Sequence, residues 1–278
     1  MVQQATIRPT TKTNGLTYNQ IVRGLRAVGL NENSRVIAHS SLSAFGYVLG
    51  GAQTMIGALT AVVGTLLAPA FTYQTLLIPK VGPADNGMDY GEDIEGVEFW
   101  RPDLPAHDTI GIIPNQMLKH PQARRSSHPA LSFVGLGRDV ENILGLQTLA
   151  DPFAPLGWLA DHGGDVLLLG VTQRTNTMIH VAEWRAGRPS FVRWSLTPEK
   201  IVEFKWPGDS AGFESLTAHI KNSVVQGQIG QATVQRIPAD RLVETVVHLI
   251  RQDSTALLCD IEDCERCRDM RKRVVKIN

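Results

Sequence analysis

Val166-Leu167-Leu168-Leu169-Gly170 is an unbroken apolar run with no polar face. A strand with one side in water alternates apolar and polar residues, so a run apolar on both sides belongs in the middle of a covered sheet. Its covers should be helices, and helical patterns surround it. Asn176 to Arg185 reads as a helix directly after the run, and Phe213 to Val224 and Pro238 to Arg251 read as helices further on. Upstream, Thr17 is a suitable N-cap for a helix with apolar positions Ile21, Val22, Leu25 and Val28, stopped by Gly29. Next come an apolar run from Arg35 to His39, a helical pattern from Gln53 to Val63 and a second run from Thr65 to Phe71, the order β-α-β. Leu131 to Leu136 adds another buried-strand candidate. Alternating strands and helices predict a three-layer α/β/α sandwich. Phe191 to Trp194 and Ile201 to Phe204 follow each other with no helix between, which predicts a mixed rather than a purely parallel sheet.

Composition sets the outer limits. With 278 residues, 43% hydrophobic and 19% charged, the chain reads as one globular domain over 1–278. The 27 basic and 27 acidic residues cancel, so no global field draws it to nucleic acid or to an anionic membrane. No run reaches the roughly 18 to 20 apolar residues of a membrane span, and Met1 to Asn14 is polar, unlike a signal peptide. Cys259, Cys264 and Cys267 all fall in a tail at 259–278, not in the spread of a secreted disulfide framework, so a reducing cytoplasm is the expected setting. Between 82 and 108, Pro, Gly and acidic residues crowd into a long loop that includes Asp85, Asp89, Glu92, Asp93, Glu95 and Glu98.

Four segments could carry chemistry. His39-Ser-Ser-Leu-Ser-Ala-Phe-Gly46 follows a predicted strand and precedes Gly50-Gly51 and a helix. Small hydroxyl residues and glycine at such a turn present backbone N–H groups to an anion such as a cofactor diphosphate; an ordinary serine-rich turn has the same spacing. Arg124-Arg-Ser-Ser-His-Pro129 offers two guanidinium groups for a phosphate, or two solvated side chains. His180 and Glu183 lie three apart on a predicted helix, where a carboxylate fixes the tautomer of an imidazole base or merely forms a surface ion pair. Their place after the most apolar run favours the first, because sites in α/β sheets gather at the carboxyl ends of strands. The cysteines contain a CxxC, but four-ligand zinc needs a fourth residue and the nearest upstream histidine is His248, so free thiols and no metal are the expectation.

Taken in order, these segments resemble the antibiotic N-acetyltransferase family, the aminoglycoside 3-N-acetyltransferases and their relatives. The resemblance rests on Val36-Ile-Ala-His-Ser-Ser-Leu-Ser-Ala-Phe-Gly46, Gly50-Gly-Ala52, Pro69-Ala-Phe-Thr72, Arg125-Ser-Ser-His-Pro129, Asp165-Val-Leu-Leu-Leu-Gly170, Asn176-Thr-Met-Ile-His-Val-Ala-Glu183 and the Cys264-to-Cys267 tail. It runs from about Thr17 to Cys267 and implies the three-layer fold with a mixed sheet.

It further implies acetyl-CoA as donor, with His180 as general base on the acceptor amine. His39, Ser40, Ser41, Leu42, Ser43, Ala44, Phe45 and Gly46 would line the CoA channel, together with Arg125, Ser126, Ser127 and His128. Glu183 would orient the imidazole or hold the substrate ammonium, and the Thr72 hydroxyl is a candidate for the thioester oxyanion. No cysteine lies near these motifs, so direct transfer in a ternary complex is expected.

The chain departs from the family in two places. In Phe204 to Phe213 only Asp209 matches the family's acidic residue, and the carboxylates some members carry after the Pro69 strand end are replaced by Gln74, Thr75 and a neutral run to Pro79. The resemblance implies a cationic small-molecule amine as acceptor, an aminoglycoside at its 3-amino group, and these departures open the alternative of another amine metabolite. A non-catalytic CoA-binding sensor is the reading from a different class. The oligomeric state stays open, with a homodimer among the options.

Overall fold

The structure, a computed structural model, describes residues 15–275; the polar stretch Met1 to Asn14 lies outside the described residues. Its strands are β1 (Arg35–Ser40), β2 (Thr65–Pro69), β3 (Leu76–Leu77), β4 (Arg124–Arg125), β5 (Phe133–Gly137), β6 (Asp165–Leu169), β7 (Phe191–Leu196), β8 (Ile201–Trp206), β9 (Val225–Ile229) and β10 (Ala232–Pro238). Its α-helices are α1 (Tyr18–Ala27), α2 (Gly51–Val62), α3 (Ile112–Leu118), α4 (Val140–Leu144), α5 (Ala154–Asp161), α6 (Met178–Arg185), α7 (Thr217–Ile220), α8 (Ala239–Gln252) and α9 (Glu265–Val275).

The main sheet runs β4-β5-β2-β1-β6-β10-β9. β1 pairs parallel with β2 and with β6, setting His39 against Leu168 and Ser40 against Leu169. β5 and β10 pair antiparallel to β2 and β6, so the sheet is mixed. The expected reason for that mixture is corrected: β7 and β8 form a hairpin in a separate three-stranded sheet with β3, and the antiparallel strands of the main sheet are others.

The period of two along each strand divides the interior. Val36, Ala38, Leu66, Ala68, Leu167 and Leu169 share one core with Ile21 and Leu25 of α1, Met55 and Leu59 of α2 and Met117 of α3. Ile37, Leu67, Val166 and Leu168 enter the other, with Leu156 of α5, Ile179 of α6 and Leu242 of α8. The sheet is thus covered on both faces, and Val166 to Leu169 are wholly buried, as an all-apolar strand requires.

The helix ends also follow the sequence. Thr17 caps α1 in a capping box: its side chain accepts from Gln20 N–H, and the Gln20 side chain accepts from Thr17 N–H at 2.9 Å. The predicted helix from Phe213 to Val224 is corrected to three short pieces, 3₁₀ turns at Phe213–Leu216 and Lys221–Ser223 flanking the single turn of α7. Local bonds break it up. Ser215 donates to Gly212 O at 2.7 Å and Thr217 donates to the Glu214 carboxylate at 3.0 Å, which tightens the chain to three-residue spacing.

Among the described residues, no helix is long and apolar enough to cross a membrane.

Candidate active site

The three parallel strands β1, β2 and β6 end on the same side, and a cavity of about 860 Å³ opens there, lined at its base by His39 and Ser40, Pro69 and Val171. α6 begins nine residues beyond the end of β6 along the chain and presents His180 to this cavity. Met178 to Glu183 of α6 are all buried, and only its last turn reaches solvent at Arg185, so the polar side chains of the first six residues must be satisfied internally.

That requirement orders the site. His180 Nδ1 lies 2.6 Å from Glu183 Oε2, and Arg188 donates to Glu183 Oε1 at 2.6 Å. The other Arg188 amino group donates to the carbonyls of Ser254 and Ala256 at 2.7 and 2.8 Å. Burial pushes the Glu183 carboxyl up, but the hydrogen bond from His180 and the charge of Arg188 outweigh it and hold Glu183 below the usual carboxylate range. An ionised carboxylate only accepts, so Nδ1 carries the proton and Nε2 carries the lone pair of the neutral ring. Phe153 stacks on the imidazole at 5.7 Å between ring centres and Phe213 flanks it at 4.9 Å, which fixes its plane. No hydrogen bond at Nε2 is made by the described residues.

His39, on β1, sits within 3.3 Å of the Thr177 hydroxyl through Nε2. Burial pushes its pKa down to about 3, so near neutral pH it is an uncharged ring. His39 lines the cavity together with five residues that follow it, Ser40, Ser41, Leu42, Ser43 and Gly46. Ala44 and Phe45 do not; Phe45 is buried in the core with α1 and α2, and Ala44 packs against that core. Beyond the turn, α2 starts at Gly51, which also lines the cavity, and no side chain caps its first amides.

The structure does not bring the Arg125 segment to this cavity. Arg125 donates to the carbonyls of Ala70 and Pro102 at 3.0 Å, to that of Leu104 and to the Ser132 hydroxyl at 3.1 Å, so its guanidinium is consumed in tying loops together. Ser126 is closed into a pair with the Phe133 backbone. Ser127 and His128 line a separate cavity of about 450 Å³ beside Trp100, Gln147 and Lys200. Thr72 is likewise placed elsewhere: it is fully buried, and its hydroxyl donates to Pro129 O at 2.6 Å. Asp209 makes no hydrogen bond to His180 but pairs with Arg266 at 2.5 Å. Among the described residues, Glu183 makes the one side-chain hydrogen bond to the imidazole.

Sequence reasoning missed Arg174, Thr177 and Arg266, all cavity-lining. Thr177 carried a usable signal, lying three residues before His180 on the same helical face. Arg266 carried none, because it is one of many charged residues in the tail and lies 57 residues beyond its partner Asp209.

Comparison with known proteins gives a consistent result. Residues 37–251 match the family model described as aminoglycoside 3-N-acetyltransferase. Aminoglycoside N(3)-acetyltransferase IX of Micromonospora chalcea is 34% identical over 182 residues, which are 60% of this chain and 62% of that protein. The chain spans less than two thirds of the length of the curated relatives it matches, 62% and 63% in two of them. The YokD protein of Bacillus subtilis superimposes with a TM-score of 0.76 at 26% identity, over 87% of this chain and 96% of that one. A structure of AAC-IIIb in a binary complex with CoASH superimposes with a TM-score of 0.70 at 25% identity, over 85% of this chain and 96% of that one.

Proposed function

Because the chain belongs to the aminoglycoside 3-N-acetyltransferase family, we propose that it transfers the acetyl group of acetyl-CoA to the amine of a small molecule, with His180 as general base. One observation carries the reading: buried, ionised Glu183 fixes the proton on His180 Nδ1 and leaves a lone pair on Nε2, on a ring that lines the cavity. An ammonium group cannot attack a thioester. Nε2 takes the proton, the amine nitrogen bonds to the thioester carbon, and the C–S bond breaks to release CoA, whose sulfur picks up a proton. Glu183 then stabilises the imidazolium, and Arg188 keeps Glu183 ionised.

CoA enters this scheme through the turn from His39 to Gly46. The uncapped amides at the start of α2 and the exposed Arg174 guanidinium suit its diphosphate, a role Arg125 is too occupied to fill. For the oxyanion we place the Thr177 hydroxyl where Thr72 was expected, since Thr177 lines the cavity.

For the acceptor, the 3-amino group of an aminoglycoside is the first reading, by family. The lining of the cavity supplies a second: it includes Arg174 and Arg266 and no Asp or Glu, which favours a less cationic amine. Release of CoA thiol measured with a panel of aminoglycosides and simple amine metabolites separates the two. Turnover of at least one aminoglycoside supports the first; turnover only of weakly charged amines supports the second. No acetylation of any amine by folded, CoA-binding protein would overturn the enzymatic reading and leave a CoA-binding sensor.

A further inference from the structure

Cys259, Cys264, Cys267 and Asp209, which is fifty residues upstream of the first of them, converge on one point. Their sulfur atoms and a carboxylate oxygen all lie within 4.8 Å of one another. All three cysteines are free thiols. We propose that these four side chains bind a zinc ion, and that the ion fastens the carboxy-terminal helix to the wall of the active-site cavity.

The donor set argues for zinc. Four ligands, three of them soft thiolates, match the closed tetrahedral sites that zinc occupies structurally. Zn–S bonds of about 2.3 Å put tetrahedral sulfurs roughly 3.8 Å apart, so the cluster needs to contract by only about 1 Å at its widest pair.

The surroundings hold the ligands in place. Cys264-Glu-Arg-Cys267 winds into the first turn of α9, and Cys259 N–H donates to Cys267 Sγ at 3.3 Å. Asp209 accepts from Ala211 N–H at 2.7 Å and from Arg266, which orients the carboxylate while leaving lone pairs for a metal. Gly212 lets the two strands of chain meet: a Cβ there would stand 2.4 Å from Leu257 O and 2.8 Å from Cys259 N. A disulfide would use two of the three sulfurs and give Asp209 no part.

The position gives the ion a purpose. Gly208 and Ser210, on either side of Asp209, both line the cavity, as does Arg266 between the paired cysteines. A Cβ on Gly208 would be 3.8 Å from Glu183 Oε1, so this wall rests against the carboxylate behind His180. The ion takes no part in the transfer; it sets the wall.

The test reads metal and not turnover, so it stands apart from the proposed acetyl transfer. Full-length protein purified under reducing conditions should carry about one zinc per chain by elemental analysis. After chelation, cobalt(II) alone should restore the site, with thiolate-to-cobalt charge-transfer bands and the ligand-field bands of a tetrahedral ion. Both signals should be lost in the double variant Cys264→Ser/Cys267→Ser, and alkylation of the thiols should speed up only once metal is removed. Should the double variant fail to fold, the wild-type cobalt spectrum decides alone. Zinc below about a tenth of stoichiometric together with no thiolate–cobalt band on reduced wild-type protein would overturn the proposal. So would an intact mass showing a disulfide in protein that takes up no metal.

Discussion

At His180, function and stability part company, and substitutions can separate them. His180→Ala removes the proton acceptor and leaves the turn from His39 to Gly46 intact, so kcat should fall by about 10²- to 10⁴-fold while CoA still binds; equal turnover in the variant would remove His180 from the mechanism. Glu183→Gln is costlier to the fold, because Arg188 is then a buried guanidinium whose partner has lost its charge. Breaking such a pair typically costs about 3 to 5 kcal/mol, so the variant should show both a lower urea midpoint and a lower kcat, with KM for CoA little changed. The two threonines make an opposite pair. Thr72→Val removes one buried hydrogen bond to the Pro129 carbonyl, which the Thr75 hydroxyl still reaches at 2.9 Å, and should cost about 0.5 to 1.5 kcal/mol in stability. Thr177→Val should lower kcat at near-constant stability, and a loss of stability without a loss of kcat would return Thr177 to a packing role. His180 and Glu183 were legible in the sequence because helical spacing makes them neighbours whatever the fold. Thr72, Arg125 and Asp209 were not, because they are held by the Pro129 carbonyl 57 residues away, by carbonyls 21 to 55 residues away and by Arg266, 57 residues away. Spacing carries no information about such meetings.

Elements were legible where one pattern dominated and illegible where two competed. β6 and α6 announce themselves through burial on every side, and α1 through a cap three residues from its partner. β9 and β10 escaped, because β9 is an edge strand with Gln226, Gly227 and Gln228 at its centre and little apolar alternation. α9 escaped for another reason: its sequence, Glu-Arg-Cys-Arg-Asp-Met-Arg-Lys-Arg-Val-Val, is dominated by charge, yet Cys267, Met270 and Val274 form a buried stripe at helical spacing. The segments that bring α9 to the cavity are short irregular pieces after β8 and α8, and their closest approach is at Gly212. Gly212→Ala forces a methyl group against the backbone of Leu257 to Cys259, where no flexible side chain can give way. Overpacking of this kind costs about 1 to 3 kcal/mol, so the urea midpoint should fall, and the CoA-free cavity should become more accessible to quenching of Trp206 fluorescence. An unchanged midpoint would mean that the approach at Gly212 is loose.

For the whole molecule, burial of neutral histidines inside the sheet ends should decide how it meets acid. His39 and His128 are each pushed by burial to a pKa of about 3, against an ordinary value of 6.5. In the unfolded chain both take up a proton as pH falls below 6.5, whereas in the folded protein neither does until about pH 3. The unfolded state therefore binds more protons through that window, and stability falls as pH falls. Two pH units of mismatch correspond to about 2.7 kcal/mol per group, so by pH 4.5 the pair removes roughly 5 kcal/mol, a large share of the 5 to 15 kcal/mol that holds a typical domain together. Glu183 joins later. Its folded pKa lies below the unfolded value of 4.5, so its contribution is intact above that pH and is lost only below it. Asp165, whose carboxyl burial pushes up against the pull of Arg236, acts in the opposite sense. The expected curve of urea midpoint against pH is thus flat above about 7 and falls from 6.5 to 4.5. His39→Asn should halve the slope of that fall and lower the slope below it by the same amount, down to about pH 3. A curve that stays level down to pH 4.5 would show that both rings accept a proton in the folded state, and the neutral ring beside Thr177 would then have to be redrawn as a cation at the mouth of the cavity.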